Sequence, residues 1–257
     1  LLSHVHLSIA SLLMLYAGEL RCYEHLPLLR VLRPLQLTRF DNSLASTRRR
    51  DGKMCLIVCF TMGQEGSMLV ESVMLPLGTP APPFKLPDVV SGQLYSLDSF
   101  KGKDALLVMF LCRHCPYVKH VEQNRQIGKD YQDTKLGLIG ISSNDPVYYP
   151  DDAPERLKEM AQRLHFRFPF CFDDTQEVAK AYKAVCTPDF YLFDAHRRLV
   201  YRGQLDDGRP GNNKPVTGRD LRAAIDAVLA GKPVDRNQKP SIGCSIKWKA
   251  GNAPPYA

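Results

Sequence analysis

The sequence predicts an α/β fold, a central mixed sheet flanked by helices. Three observations carry that prediction. The apolar runs at 105–111 and 136–141 are continuous rather than alternating, as in strands buried on both faces. Polar, helix-compatible sequence separates and follows them, the pattern of parallel strands joined by helical crossovers. Two further strand-like runs, Phe190-Tyr-Leu-Phe193 and Arg198-Leu-Val-Tyr-Arg202, flank a short turn at Ala195-His196 and so read as a terminal hairpin.

Composition narrows the class. A chain of 257 residues can bury a core without disulfide staples. Its 44% hydrophobic and 24% charged content is that of a globular domain rather than a disordered or fibrous one. The formal charge of +7 is spread thinly, with one short run at Arg48-Arg-Arg50, so a solvated basic surface is expected and neither nucleic acid nor membrane is an expected partner. Eight cysteines, one close pair and scattered singles, are too dilute for a secreted disulfide scaffold. They point to a reducing compartment, the cytoplasm, and to a working dithiol.

Taken in order, the chain opens on a segment, 1–74, that differs from the rest. Its basic residues up to Arg50 are all arginine, its acids to that point are Glu19, Glu24 and Asp41, and its apolar stretch near 9–17 is too short to span a bilayer. It is expected to be a poorly ordered leader or non-native sequence, with an organelle-targeting leader as the alternative. Cys22, Cys55 and Cys59 fall within it and are set aside.

The domain is expected over 75–231. A proline-rich stretch leads into Phe84-Lys-Leu86 and Leu94-Tyr-Ser-Leu97, which flank Ser91-Gly92 as a hairpin. The first buried strand is 105–111. Pro116 suits a first helical turn, where its missing N–H has no partner to lose, and the helix should run to about Tyr131. After the second strand, 136–141, comes a loop carrying Asp145, Asp151 and Asp152. Asp152-Ala-Pro-Glu155 fits a helix N-cap with its reciprocal acid better than a metal site. A helix at 154–164, a strand at 169–172 and a helix at 175–184 with Thr175 as its candidate cap lead to the hairpin. Thr217-Gly-Arg-Asp220 opens a closing helix whose Leu221, Ile225, Val228 and Leu229 share a face, ending at Gly231. Residues 232–257, rich in Pro, Gly and Lys, are expected to be a C-terminal tail packed on the domain.

The chemistry lies at the end of the first buried strand, in Leu111-Cys-Arg-His-Cys-Pro-Tyr-Val-Lys-His120. A Cys-x-x-Cys between strand and helix places the first sulfur at a helix start, where free N–H groups favour a thiolate. This motif, with the strand order around it and Cys186-Thr-Pro-Asp189 before the last hairpin, resembles the thioredoxin fold. It is most similar to the redoxin branch holding the peroxiredoxins and peroxiredoxin-like proteins, related to alkyl hydroperoxide reductase and thiol-specific antioxidant. The resemblance covers about 75–231.

That resemblance implies a thiol-disulfide oxidoreductase in which Cys112 is the nucleophile and Cys115 resolves the mixed disulfide. Arg113 and His114, between them, would tune the pair by favouring the Cys112 thiolate and the reduced form. Thr187 would present backbone groups to an extended substrate, with Pro188 after it in the cis form characteristic of the fold. Cys186 and Cys244 are candidate further thiols, each weighed against a plain core or tail-anchoring role; Cys171 reads as core. Expected partners are protein or small-molecule disulfides or peroxides, and a reductant of thioredoxin or low-molecular-weight thiol type. No cofactor and no metal is expected: zinc would need a second ligand pair, and His114 and His120 with the two cysteines make a strained set. A peroxidase is the first alternative, although Ala105 and Met109 stand where peroxiredoxins place the proline and hydroxyl residue ahead of their reactive cysteine. A non-enzymatic binding module of the same fold is the second.

Overall fold

The computed structural model describes residues 43–50, 53–60, 69–122 and 126–257. The chain divides into two compact units, Leu1–Gln64 and Glu65–Ala257. In the first, β1 (Ser43–Arg50) and β2 (Lys53–Phe60) form an antiparallel hairpin in register from Ser43 opposite Phe60 to Arg50 opposite Lys53. The remainder of the expected leader up to residue 68 lies outside the described residues.

The second unit is built on a five-stranded mixed sheet of β6 (Ala105–Phe110), β7 (Leu136–Ser142), β8 (Phe170–Phe172), β10 (Asp189–Asp194) and β11 (Leu199–Gly203), in the order β11-β10-β6-β7-β8. β6, β7 and β8 run parallel, while β10 runs antiparallel to both of its neighbours, β6 and β11. Every residue of β6 and β7 is buried, which explains the unbroken apolar runs. Successive residues of β6 feed opposite cores: Leu107 and Met109 pack with Leu157, Leu221 and Ile225, whereas Leu106, Val108 and Phe110 pack with Val178, Ala179 and Tyr182. The helices carrying those partners are α3 (Pro154–Arg163), α4 (Glu177–Ala181) and α5 (Arg219–Leu229), and the sheet is therefore covered on both faces. The expected hairpin is β4 (Lys85–Pro87) with β5 (Leu94–Ser96).

Within the stretch read as one helix to Tyr131, α1 spans Pro116–Val121 and α2 Ile127–Asp130, and residues 123–125 lie outside the described residues. Thr175 does not cap α4. The N-cap is Gln176 in the left-handed region, φ 63°, and the Thr175 hydroxyl only receives the Glu177 N–H at 3.4 Å.

Both ends of the predicted domain extend further than expected. β3 (Leu69–Glu71) lies within the segment read as leader, yet it pairs antiparallel with β12 (Ile242–Ser245) of the expected tail. β12 pairs on its other side with β9 (Cys186–Thr187), giving a second sheet in the order β3-β12-β9. Ser72 ties the same region to the main sheet by donating to both carboxylate oxygens of buried Asp189, at 2.8 and 2.9 Å. Strands of two to four residues are too short to carry a periodic signal, and the pairing is visible only in three dimensions. Among the described residues, no helix is long and apolar enough to cross a membrane.

Candidate active site

β6 delivers the chain to the site. Beyond Phe110 the Leu111 N–H still bonds the Ile141 carbonyl at 2.9 Å, so the strand's course continues up to Cys112. The neighbouring parallel strand β7 ends at the same level and releases the loop containing Asn144 and Asp152. Side-by-side parallel strands thus bring Cys-Arg-His-Cys and that loop together at their C-terminal ends, where ligands and reactive groups gather in open α/β sheets.

The turn 112–115 is held by one carboxylate. Asp152, fully buried, accepts the Arg113 N–H at 2.6 Å on Oδ1, and on Oδ2 it accepts His114 Nδ1–H at 2.5 Å and Asn144 Nδ2 at 2.8 Å. Burial alone would raise this carboxyl, but the hydrogen bonds from His114, Asn144 and the Arg113 backbone outweigh it and hold the group below its ordinary value. The His114 ring stacks on Tyr149 at 5.1 Å, and the Lys247 ammonium sits 5.1 Å from the centre of the Tyr149 ring.

Two expectations about this turn are corrected. Asp152 is not a helix cap: the N-cap of α3 is Ala153, in extended conformation, and no side chain caps it. The Asp152 carboxylate is turned away to two donors of the Cys-x-x-Cys turn and to Asn144. Nor does Cys112 stand exposed at a helix start. The helix begins at Pro116 with Cys115 as N-cap, and Cys112 is buried in the turn before it with 0% of its surface exposed. The Arg113 guanidinium is directed to Asp151 at 3.0 Å and to Glu159 at 3.8 Å, carboxylates that already balance its charge.

Facing the turn is Thr187, whose peptide bond to Pro188 is cis, as the resemblance implied. Its hydroxyl oxygen lies 3.0 Å from Cys112 Sγ, and its carbonyl oxygen accepts from the Cys115 thiol at 3.3 Å. Both sulfurs therefore converge on one residue. The Cys115 thiol is pushed up, first by neighbouring Cys112 and also by burial, against an opposing contribution from Cys244.

The other candidate thiols separate in the fold. Cys244 is drawn to the site: it is paired opposite Thr187, shares a buried cluster with Cys115 and lowers the Cys115 thiol. Cys186 lies beside Thr187, but its sulfur is turned to the Pro188 carbonyl, at 3.9 Å, and burial raises it well above the ordinary value. Cys171 is core, 3.8 Å from the Leu86 carbonyl, its thiol pushed up to about 12 by burial and then by Asp88. Among the described residues, one atom each of Cys112, His114 and Asp152 lie within 4.8 Å of one another, a set with metal-ligand chemistry. His114 Nδ1 and both Asp152 oxygens are already committed to hydrogen bonds, however, and neither Cys115 nor His120 joins the set.

A dithiol at the C-terminal end of a central strand, set against a Thr-cis-Pro in a mixed five-stranded sheet, defines a thiol-based redox protein of thioredoxin-like fold. Residues 77–202 match the AhpC/TSA family, and the chain belongs to that family. It is similar to two solved structures: an uncharacterized conserved protein from Geobacillus kaustophilus, 53% identical with a TM-score of 0.70, covering 72% of this chain and 98% of that one, and a hypothetical protein from Sinorhizobium meliloti 1021, 49% identical with a TM-score of 0.69, covering 70% of this chain and 99% of that one. Among curated proteins, none matches the chain.

Asp152 and Asn144 are the site residues that sequence reasoning missed. The signal existed. Both leave the end of the strand paired in parallel with the one that carries Cys112, and that adjacency alone would have favoured a site role for Asp152 over a helix cap.

Proposed function

We propose that the protein exchanges disulfides through Cys112 and Cys115. The Cys112 thiolate attacks one sulfur of a substrate disulfide, forming a mixed disulfide and releasing the other substrate sulfur as a thiolate. Cys115 then gives up its proton and attacks Cys112 Sγ. The second substrate thiol leaves, and Cys112–Cys115 remains as a disulfide to be reduced by an external thiol. The observation that carries this reading is the convergence of both sulfurs on Thr187, the hydroxyl to Cys112 and the carbonyl to Cys115. The hydroxyl contact places Cys112 Sγ beside Thr187, and the raised Cys115 thiol keeps its proton until resolution. Because Cys112 has no exposed surface in the reduced protein, attack requires the turn or the loop over it to move.

Peroxide reduction, the activity suggested by the family's name, is less well supported. Ala105 and Met109 are locked in the β6 ladders, opposite Asp194 and Phe190, and neither side chain offers a donor to polarise a peroxide. The test is the Cys115→Ser protein with oxidised glutathione. One glutathione should accumulate on Cys112 by mass spectrometry, whereas the unsubstituted protein should release it and end as Cys112–Cys115 disulfide. Rapid oxidation of Cys112 by hydrogen peroxide with no glutathione adduct would instead support the peroxidase reading.

A further inference from the structure

The dithiol has a third thiol behind it. In the second sheet Cys244 stands directly opposite Thr187 in the antiparallel pairing of β12 with β9, and directly opposed residues of such a pair present their side chains on the same face. The Thr187 side chain on that face reaches Cys112, so Cys244 is presented to the cysteine pair as well. Cys186, one residue earlier, is opposite Ser245 and on the other face. The close approach depends on Gly243, where a Cβ would fall 2.1 Å from the Thr187 carbonyl oxygen. Cys115 lies in one buried cluster with Cys112 and Cys244, and both neighbours act on its thiol, Cys112 raising it and Cys244 lowering it. All three are buried, Cys112 and Cys115 at 0% and Cys244 at 3% exposure.

We propose that Cys244 is a third redox thiol, which moves the disulfide from Cys112–Cys115 to Cys115–Cys244 and so returns Cys112 to its free form. Deprotonated Cys244 attacks Cys115 Sγ. The bond between Cys112 and Cys115 breaks, the bond between Cys115 and Cys244 forms, and Cys112 leaves as a thiolate that takes up the proton Cys244 released. The step is an isomerisation of one disulfide and needs no further oxidant. Its consequence is that Cys112 is restored while the oxidising equivalents are held on Cys115 and Cys244, and the C-terminal strand becomes part of the redox centre.

This inference rests on the exchange reading of Cys112 and Cys115, and the test separates the two. The full-length chain and its Cys112→Ser and Cys244→Ser variants are treated with diamide under native conditions, the remaining thiols alkylated, and the tryptic peptides mapped without reduction. Cleavage after Arg113 separates Cys112 from Cys115, so each pairing yields its own linked peptide. The Cys112→Ser protein is expected to lose its free thiols at Cys115 and Cys244 together and to give the peptide joining them. The unsubstituted chain should give both pairings, and the Cys244→Ser protein only Cys112–Cys115. Recovery of Cys115 and Cys244 both alkylated in Cys112→Ser, or pairing of either with Cys186, overturns the inference. So does the absence of any Cys115–Cys244 peptide from the unsubstituted chain, a result that does not depend on a variant folding. Absence of a Cys112–Cys115 bond in Cys244→Ser sinks the exchange reading instead.

Discussion

Replacing Asp152 by alanine should both loosen the fold and disorder the Cys-Arg-His-Cys turn. Its carboxylate takes three donors, and their environments differ. The Asn144 amide is 2% exposed, and orphaning a fully buried donor costs about 1–3 kcal/mol. The Arg113 N–H and the His114 ring are only partly buried, so water can replace part of what they lose, and about 0.5–1.5 kcal/mol for each is the appropriate scale. The sum is about 2–6 kcal/mol, which in a domain of this size lowers the melting temperature by roughly 4–24 °C. Urea unfolding of reduced protein at pH 7 measures it. The pH dependence supplies a sharper signature. Asp152 titrates lower in the folded protein than its ordinary 3.8, so its contribution is complete above that value and is lost as pH falls through the depressed one. The gap between the unsubstituted and Asp152→Ala proteins should therefore shrink below about pH 4. A loss under about 0.5 kcal/mol at pH 7, the range of an ordinary surface substitution, would refute the claim that this carboxylate organises the turn.

Three further outcomes are expected. Thr187→Val removes the hydroxyl 3.0 Å from Cys112 Sγ but keeps the carbonyl to Cys115; the reaction of Cys112 with oxidised glutathione at pH 7 should slow by about two- to tenfold, the scale of one hydrogen bond, and an unchanged rate would mean the contact is incidental. Gly243→Ala forces a Cβ into the Thr187 backbone and should cost about 3 kcal/mol or more, with faster amide exchange along β12 as the local sign. Reduced protein should also weaken in alkali: the Cys171 thiol rises from 9.0 to about 12 on folding and Cys186 also rises, so their contribution is complete below pH 9.0 and falls as pH climbs, by about 1.4 kcal/mol for each thiol one pH unit above the unfolded value. Denaturant titrations between pH 8 and 10.5, repeated with Cys171→Val, should show a shallower decline in the variant.

The parts of this molecule that were legible in sequence are those governed by local chemistry. The continuous apolar runs of β6 and β7 state their own burial, Pro116 marks the first turn of α1, and the motif with Thr187-Pro188 announces the family. The failures concern pairings between distant segments. Asp152-Ala-Pro-Glu155 has the local form of a capped helix start, and nothing local reveals that Arg113 and His114, some forty residues earlier, compete for the carboxylate and win. Likewise Leu69–Glu71 is too short to show a period and is a strand only because Ile242–Ser245 arrives beside it.

That late-arriving strand changes what the active site consists of. The family match ends at residue 202 and already contains the dithiol, Thr187 and Asp152, yet two supports of those groups come from beyond it. On one side β12 is hydrogen-bonded to β9 and so fixes the backbone of Thr187, which addresses both sulfurs. On the other, the Lys247 N–H donates to Asn144 Oδ1 at 2.9 Å, and this orients the amide whose nitrogen donates to Asp152. An amide held at its oxygen cannot turn away, so the Lys247 backbone acts on the turn through Asn144 and the carboxylate. The Asp145 N–H, donated to the Lys247 carbonyl at 2.8 Å, ties the same loop to the segment a second time. Removing residues 241–257 should therefore do more than expose core: it releases Thr187 and Asn144 at once, and with them the two surfaces between which the cysteine pair is held.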